Sequence, residues 1–167
     1  MNIVLIGYRG TGKSSVARIL SKKLNIPVFN MDDEITKKAG MSIPEIVEKF
    51  GWDSFRDMES EVAEQVSNLD NHIIDTGGGV ILRDKNVKNL RKNSKVFLLE
   101  ADVPAIAKRI KHGTHRPSLT DGKSFVGEIE EVLAQRREKY KKAADYIIDT
   151  SKLFPSDVAK EIVSLMR

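Results

Sequence analysis

The chain has 167 residues, of which 40% are hydrophobic and 31% charged, and this composition is typical of a folded globular protein. The length predicts one domain, residues 1–167, since domains comprise roughly 100–200 residues each. The absence of cysteine excludes disulfides, cysteine-based metal sites and cysteine nucleophiles. No stretch approaches the roughly 20 apolar residues that span a bilayer, and the start of the chain lacks the features of a signal peptide. We therefore expect a cytoplasmic protein without a membrane partner.

The formal net charge of +4 raises the question of nucleic-acid binding. Basic pairs such as Lys22-Lys23 and Lys141-Lys142 are, however, dispersed through helical patterns and alternate with acidic residues. A solvated surface is the better interpretation, so no nucleic-acid partner is expected. A modest positive field also suits small anionic substrates.

Short apolar runs alternate with helical patterns along the chain. The predicted strands are 3–6, 26–29, 72–75, 96–99 and 146–148. The predicted helices are one from near Lys13 with Val16, Leu20 and Leu24 on one face, then 43–50, 55–68, one around 103–110, one from near Ser124 and one around 158–165. This alternation predicts a parallel sheet with helices on both faces, an α/β fold whose ligands bind at the carboxyl ends of the strands.

Residues 7–14, Gly-Tyr-Arg-Gly-Thr-Gly-Lys-Ser, match the phosphate-loop pattern G-x-x-x-x-G-K-[ST] between a buried strand and an amphipathic helix. Glycines let the backbone curl so that successive N–H groups point at phosphate oxygens, and the helix dipole adds to the same anion site. Lys13 is expected to reach the β- and γ-phosphates, and the Ser14 hydroxyl to ligate Mg²⁺. The expected ATP-binding residues of this loop are Gly10, Thr11, Gly12, Lys13, Ser14 and Ser15.

A carboxylate and three glycines, Asp75-Thr-Gly77-Gly78-Gly79, follow the third predicted strand. Phosphate-loop proteins use an acid at such a position to hold Mg²⁺ directly or through water. Successive glycines allow a ligand to approach the backbone closely, although a flexible turn is the alternative. Asp75 and Gly78 also satisfy a GTPase-like D-x-x-G pattern, but the chain has no Asn/Thr-Lys-x-Asp guanine reader. A small kinase is the remaining class.

Three arginines are candidates for binding an anionic substrate, because guanidinium groups suit carboxylates and phosphates. Arg56 lies three residues before Glu59 on one helical face, a spacing that by itself favours an exposed pair. Arg116 precedes Pro117 in residues 112–122, a polar segment with two glycines that is either a mobile lid or an ordinary surface loop. Arg136 lies in the following helix, and spacing alone does not bring the three together.

Together these motifs resemble those of the shikimate kinases, from one end of the chain to the other. The resemblance rests on residues 7–14, Asp32-x-x-Ile35, Phe55-Arg56 with Glu59, Gly77-Gly78-Gly79, Arg116-Pro117 and Arg136. It implies a three-layer αβα P-loop NTPase fold similar to that of nucleoside monophosphate kinases. That fold has a five-stranded parallel sheet, a substrate-binding segment at about 32–60 and a lid at about 112–124.

The resemblance also implies an activity: transfer of the γ-phosphoryl group of ATP to the 3-hydroxyl of shikimate, with Mg²⁺, in the pathway to chorismate and aromatic amino acids. A monomer is expected. The implied catalytic residues are Lys13, Asp32 and Arg116. The implied substrate-binding residues are Asp32, Arg56, Gly77, Gly78, Gly79 and Arg136, while Arg116 closes on the phosphates and Arg109 and Pro155 border the adenine.

The chain departs from the family pattern at its first acid, since Asn30-Met31-Asp32 stands where Asp-x-Asp is usual. Asp75 stands where many relatives have no acid, and we hypothesise that it takes over the missing contact to Mg²⁺. Asp33 follows Asp32 directly, so the choice of base between them depends on register. The alternatives are a gluconate-type kinase of the same architecture and a catalytically weak nucleotide-binding module.

Overall fold

A computed structural model describes residues 1–110 and 124–167, so Arg116 and almost all of the predicted lid lie outside the described residues. Its strands are β1 (Asn2–Ile6), β2 (Val28–Asn30), β3 (Ile73–Asp75), β4 (Ser94–Glu100) and β5 (Tyr146–Asp149). They form one sheet in the order β2-β3-β1-β4-β5, with every neighbouring pair parallel. The predicted five-stranded parallel sheet is confirmed.

The helices cover both faces of this sheet. They are α1 (Lys13–Leu24), α2 (Met31–Ala39), α3 (Ile43–Val66), α4 (Asp84–Leu90), α5 (Val103–Ile110), α6 (Phe125–Ala143) and α7 (Pro155–Leu165), with a 3₁₀ turn at Val80–Leu82. Alternate residues of β1 point to opposite faces: Ile3 and Leu5 pack in the apolar cluster with α1 and α7, whereas Val4 and Ile6 pack in the cluster with α2, α3 and α6. The three-layer αβα architecture is confirmed.

A third apolar cluster joins the phosphate loop to the two helices that flank residues 111–123. Tyr8 of the loop packs there with Ile106 and Ile110 of α5 and with Ile129 and Val132 of α6. Within residues 1–110 and 124–167, no helix has the length and apolar character that crossing a bilayer requires.

Several predicted boundaries are wrong in ways that local chemistry explains. Leu24 is 36% exposed, unlike Val16 and Leu20, because α1 ends there and Asn25 turns the chain with φ 54°. The predicted division into helices 43–50 and 55–68 is confirmed, because Gly51 within α3 is non-helical (φ 83°, ψ 170°) and separates two helical parts, although the second part ends at Val66, two residues earlier than predicted. The second strand starts at residue 28, two residues later than predicted, because Pro27 has no N–H to donate.

Two helices were not predicted from periodicity. α2 contains charged residues in both its first and last turns, and α4 is a short polar helix of seven residues. In each case the apolar stripe is too short to be recognised without the surface against which it packs.

Candidate active site

The phosphate loop connects β1 to α1 at the carboxyl edge of the sheet. Gly10 and Gly12 have φ of 81° and 96°, a region that side chains rarely allow. Lys13, the first residue of α1, is 8% exposed. Its Nζ donates to the carbonyl oxygens of Gly7 at 2.7 Å and Tyr8 at 3.1 Å. The ammonium group is thereby held across the loop, at the N-terminal end of a helix, where anions bind.

A hydroxyl, a carboxylate and an amide meet beside the loop. The Ser14 hydroxyl donates to Oδ2 of Asp75 at 2.6 Å, and Nδ2 of Asn30 donates to the same oxygen at 3.2 Å. Asn30 also caps α2, since its Oδ1 accepts from the N–H of Asp33 at 3.0 Å. Burial raises the pKa of Asp75, while the Ser14 hydrogen bond and the Lys13 charge oppose the rise. The two predicted metal ligands are therefore adjacent.

These groups fit a magnesium ion that is bound mainly by phosphate and water. Among the described residues, no three or more His, Cys, Asp or Glu side chains are grouped as a metal site. Mg²⁺ in phosphoryl-transfer sites typically takes one or two protein ligands, with phosphate and water oxygens completing the octahedron. Ser14 and Asp75 provide that number of oxygen ligands next to the phosphate loop.

The three glycines after β3 lie against the side chains predicted to bind substrate. A β-carbon on Gly77 would lie 3.0 Å from Oδ1 of Asp32 and 3.0 Å from Oε2 of Glu59. On Gly78 it would lie 3.6 Å from Nη1 of Arg136, and on Gly79 only 2.2 Å from Nη1 of Arg56. Glycine allows these carboxylates and guanidinium groups to pack directly on the backbone. Asp33, by contrast, is exposed.

Arg56 and Glu59 form a buried ion pair. The spacing-based prediction of an exposed pair is therefore wrong. Their charged groups are 2.9 Å apart and their side chains are 14% and 1% exposed. Burial raises the pKa of the Glu59 carboxyl, and the charge and hydrogen bond of Arg56, with the charge of Arg136, oppose the rise. Arg136 itself is 7% exposed. The tertiary structure thus brings together two arginines that lie 80 positions apart in the numbering.

Thr150, a residue that the sequence analysis did not predict, connects the end of β5 to the phosphate loop. Arg109 donates from Nη2 to the Thr150 carbonyl at 2.6 Å and from Nη1 to the Gly10 carbonyl at 3.2 Å. The Thr150 hydroxyl lies 3.0 Å from the Thr11 carbonyl. Thr150 directly follows β5, and its position at the carboxyl end of a parallel strand was the available signal.

One cavity of about 770 Å³ connects these groups. It is lined by Gly10, Thr11, Gly12, Lys13, Ser14, Ser15, Asp32, Asp75, Gly77, Gly78, Arg109 and Pro155, among others. Arg56, Gly79 and Arg136 adjoin it through the contacts described above. With the exception of Arg116, the predicted site residues are therefore collected around a single cleft at the carboxyl edge of the sheet.

Comparison with known proteins agrees with this arrangement. A family model described as shikimate kinase matches residues 9–167. A shikimate kinase from Thermodesulfovibrio yellowstonii is 43% identical over 162 residues, covering 97% of this chain and 92% of that protein. The chain belongs to the shikimate kinase family.

Solved shikimate kinases also share the fold. The structure from Acinetobacter baumannii in complex with shikimate has a TM-score of 0.93 and 31% identity, covering 99% of this chain and 92% of that one. The structure from Aquifex aeolicus has a TM-score of 0.82 and 32% identity, covering 99% and 96%. The expected P-loop NTPase fold is thereby confirmed.

Proposed function

We propose that this chain transfers the γ-phosphoryl group of ATP to the 3-hydroxyl of shikimate, forming shikimate 3-phosphate and ADP. The observation that carries the proposal is the convergence of Arg56 and Arg136 on the glycine backbone beside the phosphate-loop cavity. Two guanidinium groups there can hold a small carboxylate in a fixed orientation. Membership of the shikimate kinase family, whose Acinetobacter baumannii member is solved with shikimate, supports this choice of substrate.

At the nucleotide end, the proposed ATP-binding residues are Gly10 to Ser15 with Arg109 and Pro155. The loop N–H groups, the α1 dipole and Lys13 would neutralise the triphosphate. Bound Mg²⁺, held by Ser14 and Asp75, would offset charge on the β- and γ-phosphates. Arg116 remains a proposed phosphate contact from the lid, and the cytoplasmic location and monomeric state also remain proposals.

At the acceptor end, Arg56 and Arg136 would hold the shikimate carboxylate, with Gly77, Gly78 and Gly79 packed against the ring. Asp32 would contact the ring hydroxyls and accept the proton of the attacking hydroxyl. The side chain of Asp32 lies against Gly77, whereas Asp33 is exposed, which favours Asp32 as the base. Phosphoryl transfer depends mainly on positioning and charge neutralisation, and these residues provide both.

A substrate panel tests the proposal. Purified protein would be assayed for ADP release with ATP, Mg²⁺ and shikimate, gluconate or nucleoside monophosphates, and the product identified by mass. We expect turnover only when shikimate, and neither gluconate nor a nucleoside monophosphate, is the acceptor. A Lys13→Ala variant should be inactive, which excludes a contaminating kinase as the source of activity. Turnover only with gluconate or a nucleotide, or ATP binding without turnover, would overturn the proposal.

A further inference from the structure

Tyr140 lies on α6 behind the three glycines. Its side chain is 4% exposed and packs in the apolar cluster with Val80 and Leu98. Its hydroxyl donates a 2.5 Å hydrogen bond to the carbonyl oxygen of Gly78. A buried carbonyl nearly always has a partner, and here a side chain 62 positions away provides it.

This hydrogen bond determines the direction of the next N–H group. In the described part of the chain no peptide bond is cis, and the C=O and N–H of a trans peptide point in opposite directions. A Gly78 carbonyl held toward Tyr140 therefore directs the Gly79 N–H away from it. Three successive glycines have few steric restraints of their own, so an external contact is needed to hold this peptide in one orientation.

The same phenol also adjoins Arg136. The two residues are four apart on α6 and so lie on one helical face. Burial raises the pKa of Tyr140, while the charge of Arg136 and a hydrogen bond from its side chain oppose the rise. The phenol accordingly stays protonated at neutral pH, so one hydroxyl can donate to Gly78 and accept from Arg136.

We propose that Tyr140 is a positioning residue for the acceptor substrate, holding the Gly78–Gly79 peptide and the Arg136 guanidinium group in the orientation in which both meet that substrate. This inference rests on the proposed function, because shikimate is the molecule that these groups would contact. Tyr140 itself is not among the residues that line the phosphate-loop cavity. Loss of its hydroxyl should therefore act on one substrate only.

The test is Tyr140→Phe, with Tyr146→Phe as the matched control. Tyr146 lies on β5 and stacks on Phe97 in the apolar cluster on the opposite face of the sheet, so the control removes a phenol hydroxyl far from the glycines. With each substrate varied in turn, we expect Tyr140→Phe to raise KM for shikimate about five- to tenfold, as loss of a buried hydrogen bond predicts. KM for ATP should not change, and Tyr146→Phe should match the wild-type protein.

The possible outcomes distinguish a failure of the Tyr140 inference from a failure of the proposed shikimate kinase activity. Wild-type protein that does not phosphorylate shikimate would refute the proposed function before any variant is made. An active wild type with an unchanged KM for shikimate in Tyr140→Phe would overturn the inference. So would a variant with a lower Tm and both KM values unchanged, because that result assigns Tyr140 a purely structural role.

A measurement on the wild-type protein does not depend on any variant. In protein labelled with ¹⁵N-glycine, the Gly79 amide resonance should move more on adding shikimate than on adding ADP. A Gly79 resonance that responds to neither ligand would contradict the proposed orientation of this peptide.

Discussion

The Ser14 hydroxyl donates a 2.6 Å hydrogen bond to Oδ2 of Asp75, which joins the first turn of α1 to the end of β3. The same oxygen accepts from the amide of Asn30. The register of the sheet accounts for the second contact, since Asn30 is paired with Asp75 across β2 and β3. One carboxylate thus has a hydroxyl and a neutral amide as neighbours.

We predict that Asp75→Asn raises the Mg²⁺ concentration required for half-maximal rate by about tenfold, since contacts that orient or bind a metal are typically worth that much. The measurement is initial rate against free Mg²⁺ at saturating ATP and shikimate. Asp84→Asn, an exposed acid at the start of α4, is the control and should leave the titration unchanged. A wild-type titration curve for Asp75→Asn would refute the role of Asp75.

The pKa of Asp75 gives a second measurement on the same variant. Because burial raises this pKa above 3.8 in the folded protein, ionisation of Asp75 opposes folding at neutral pH. In Mg²⁺-free buffer, Asp75→Asn should therefore raise Tm at pH 7. The difference should shrink as the pH falls through the folded pKa and disappear below the unfolded value of 3.8. A lower Tm at pH 7 would contradict this sign.

Two ion pairs that involve acidic residues of α3 should differ sharply in their contributions to stability. Arg56–Glu59 is buried, whereas the Asp57 carboxylate that pairs with Arg83 at 2.7 Å is 68% exposed. We predict that Glu59→Ala lowers the free energy of unfolding by about 3–5 kcal/mol, because it leaves a buried charge without its partner. Asp57→Ala should cost less than about 1 kcal/mol.

Urea unfolding of both variants checks this difference. Glu59→Ala should also raise KM for shikimate, since Glu59 holds the Arg56 guanidinium group in position. Equal losses of stability in the two variants would mean that the Arg56–Glu59 pair is as hydrated as the surface pair.

Gly79→Ala tests the packing of Arg56 on the backbone. Gly79 has φ −98°, which alanine also adopts, so the new methyl group acts only through its contacts. It would lie 2.2–2.5 Å from the Arg56 guanidinium atoms. Because these atoms end a flexible side chain, the protein should fold while Arg56 moves aside. We expect KM for shikimate to rise at least about tenfold, as displacement of a charged partner implies, with KM for ATP unchanged.

Kinetics with each substrate varied, together with a thermal melt, distinguish this displacement from unfolding. An unchanged KM for shikimate would mean that Arg56 does not hold the substrate from its present position.

Arg116, which we propose contacts the phosphates from a lid, should differ from the two arginines at the glycines. We predict that Arg116→Ala lowers kcat by about 10²-fold, because it removes charge stabilisation of the transferring phosphoryl group, with a smaller effect on shikimate binding. Arg56→Ala and Arg136→Ala should chiefly weaken shikimate binding. Steady-state kinetics and calorimetry of shikimate binding provide the comparison, and the reverse pattern would show that the lid is misassigned.

Local pattern was sufficient for the sheet and the phosphate loop. Each of the five strands was found from its apolar run, and Lys13 and Ser14 were found from a contiguous motif that follows such a strand. Periodicity also placed a break between two helices near Gly51, but it failed at α2 and α4. A short amphipathic helix has little signal of its own.

The sequence by itself determined that this protein has a parallel α/β fold with a nucleotide site, because strand burial and loop curvature depend on residues that are adjacent in the chain. Only the tertiary structure decided that Arg56 and Arg136 meet at the glycines, that Glu59 is buried, and that Asn30 and Ser14 share one oxygen of Asp75. Those contacts join residues far apart in sequence. Their burial and pKa shifts arise from the packing of whole helices against the sheet, which no local pattern encodes.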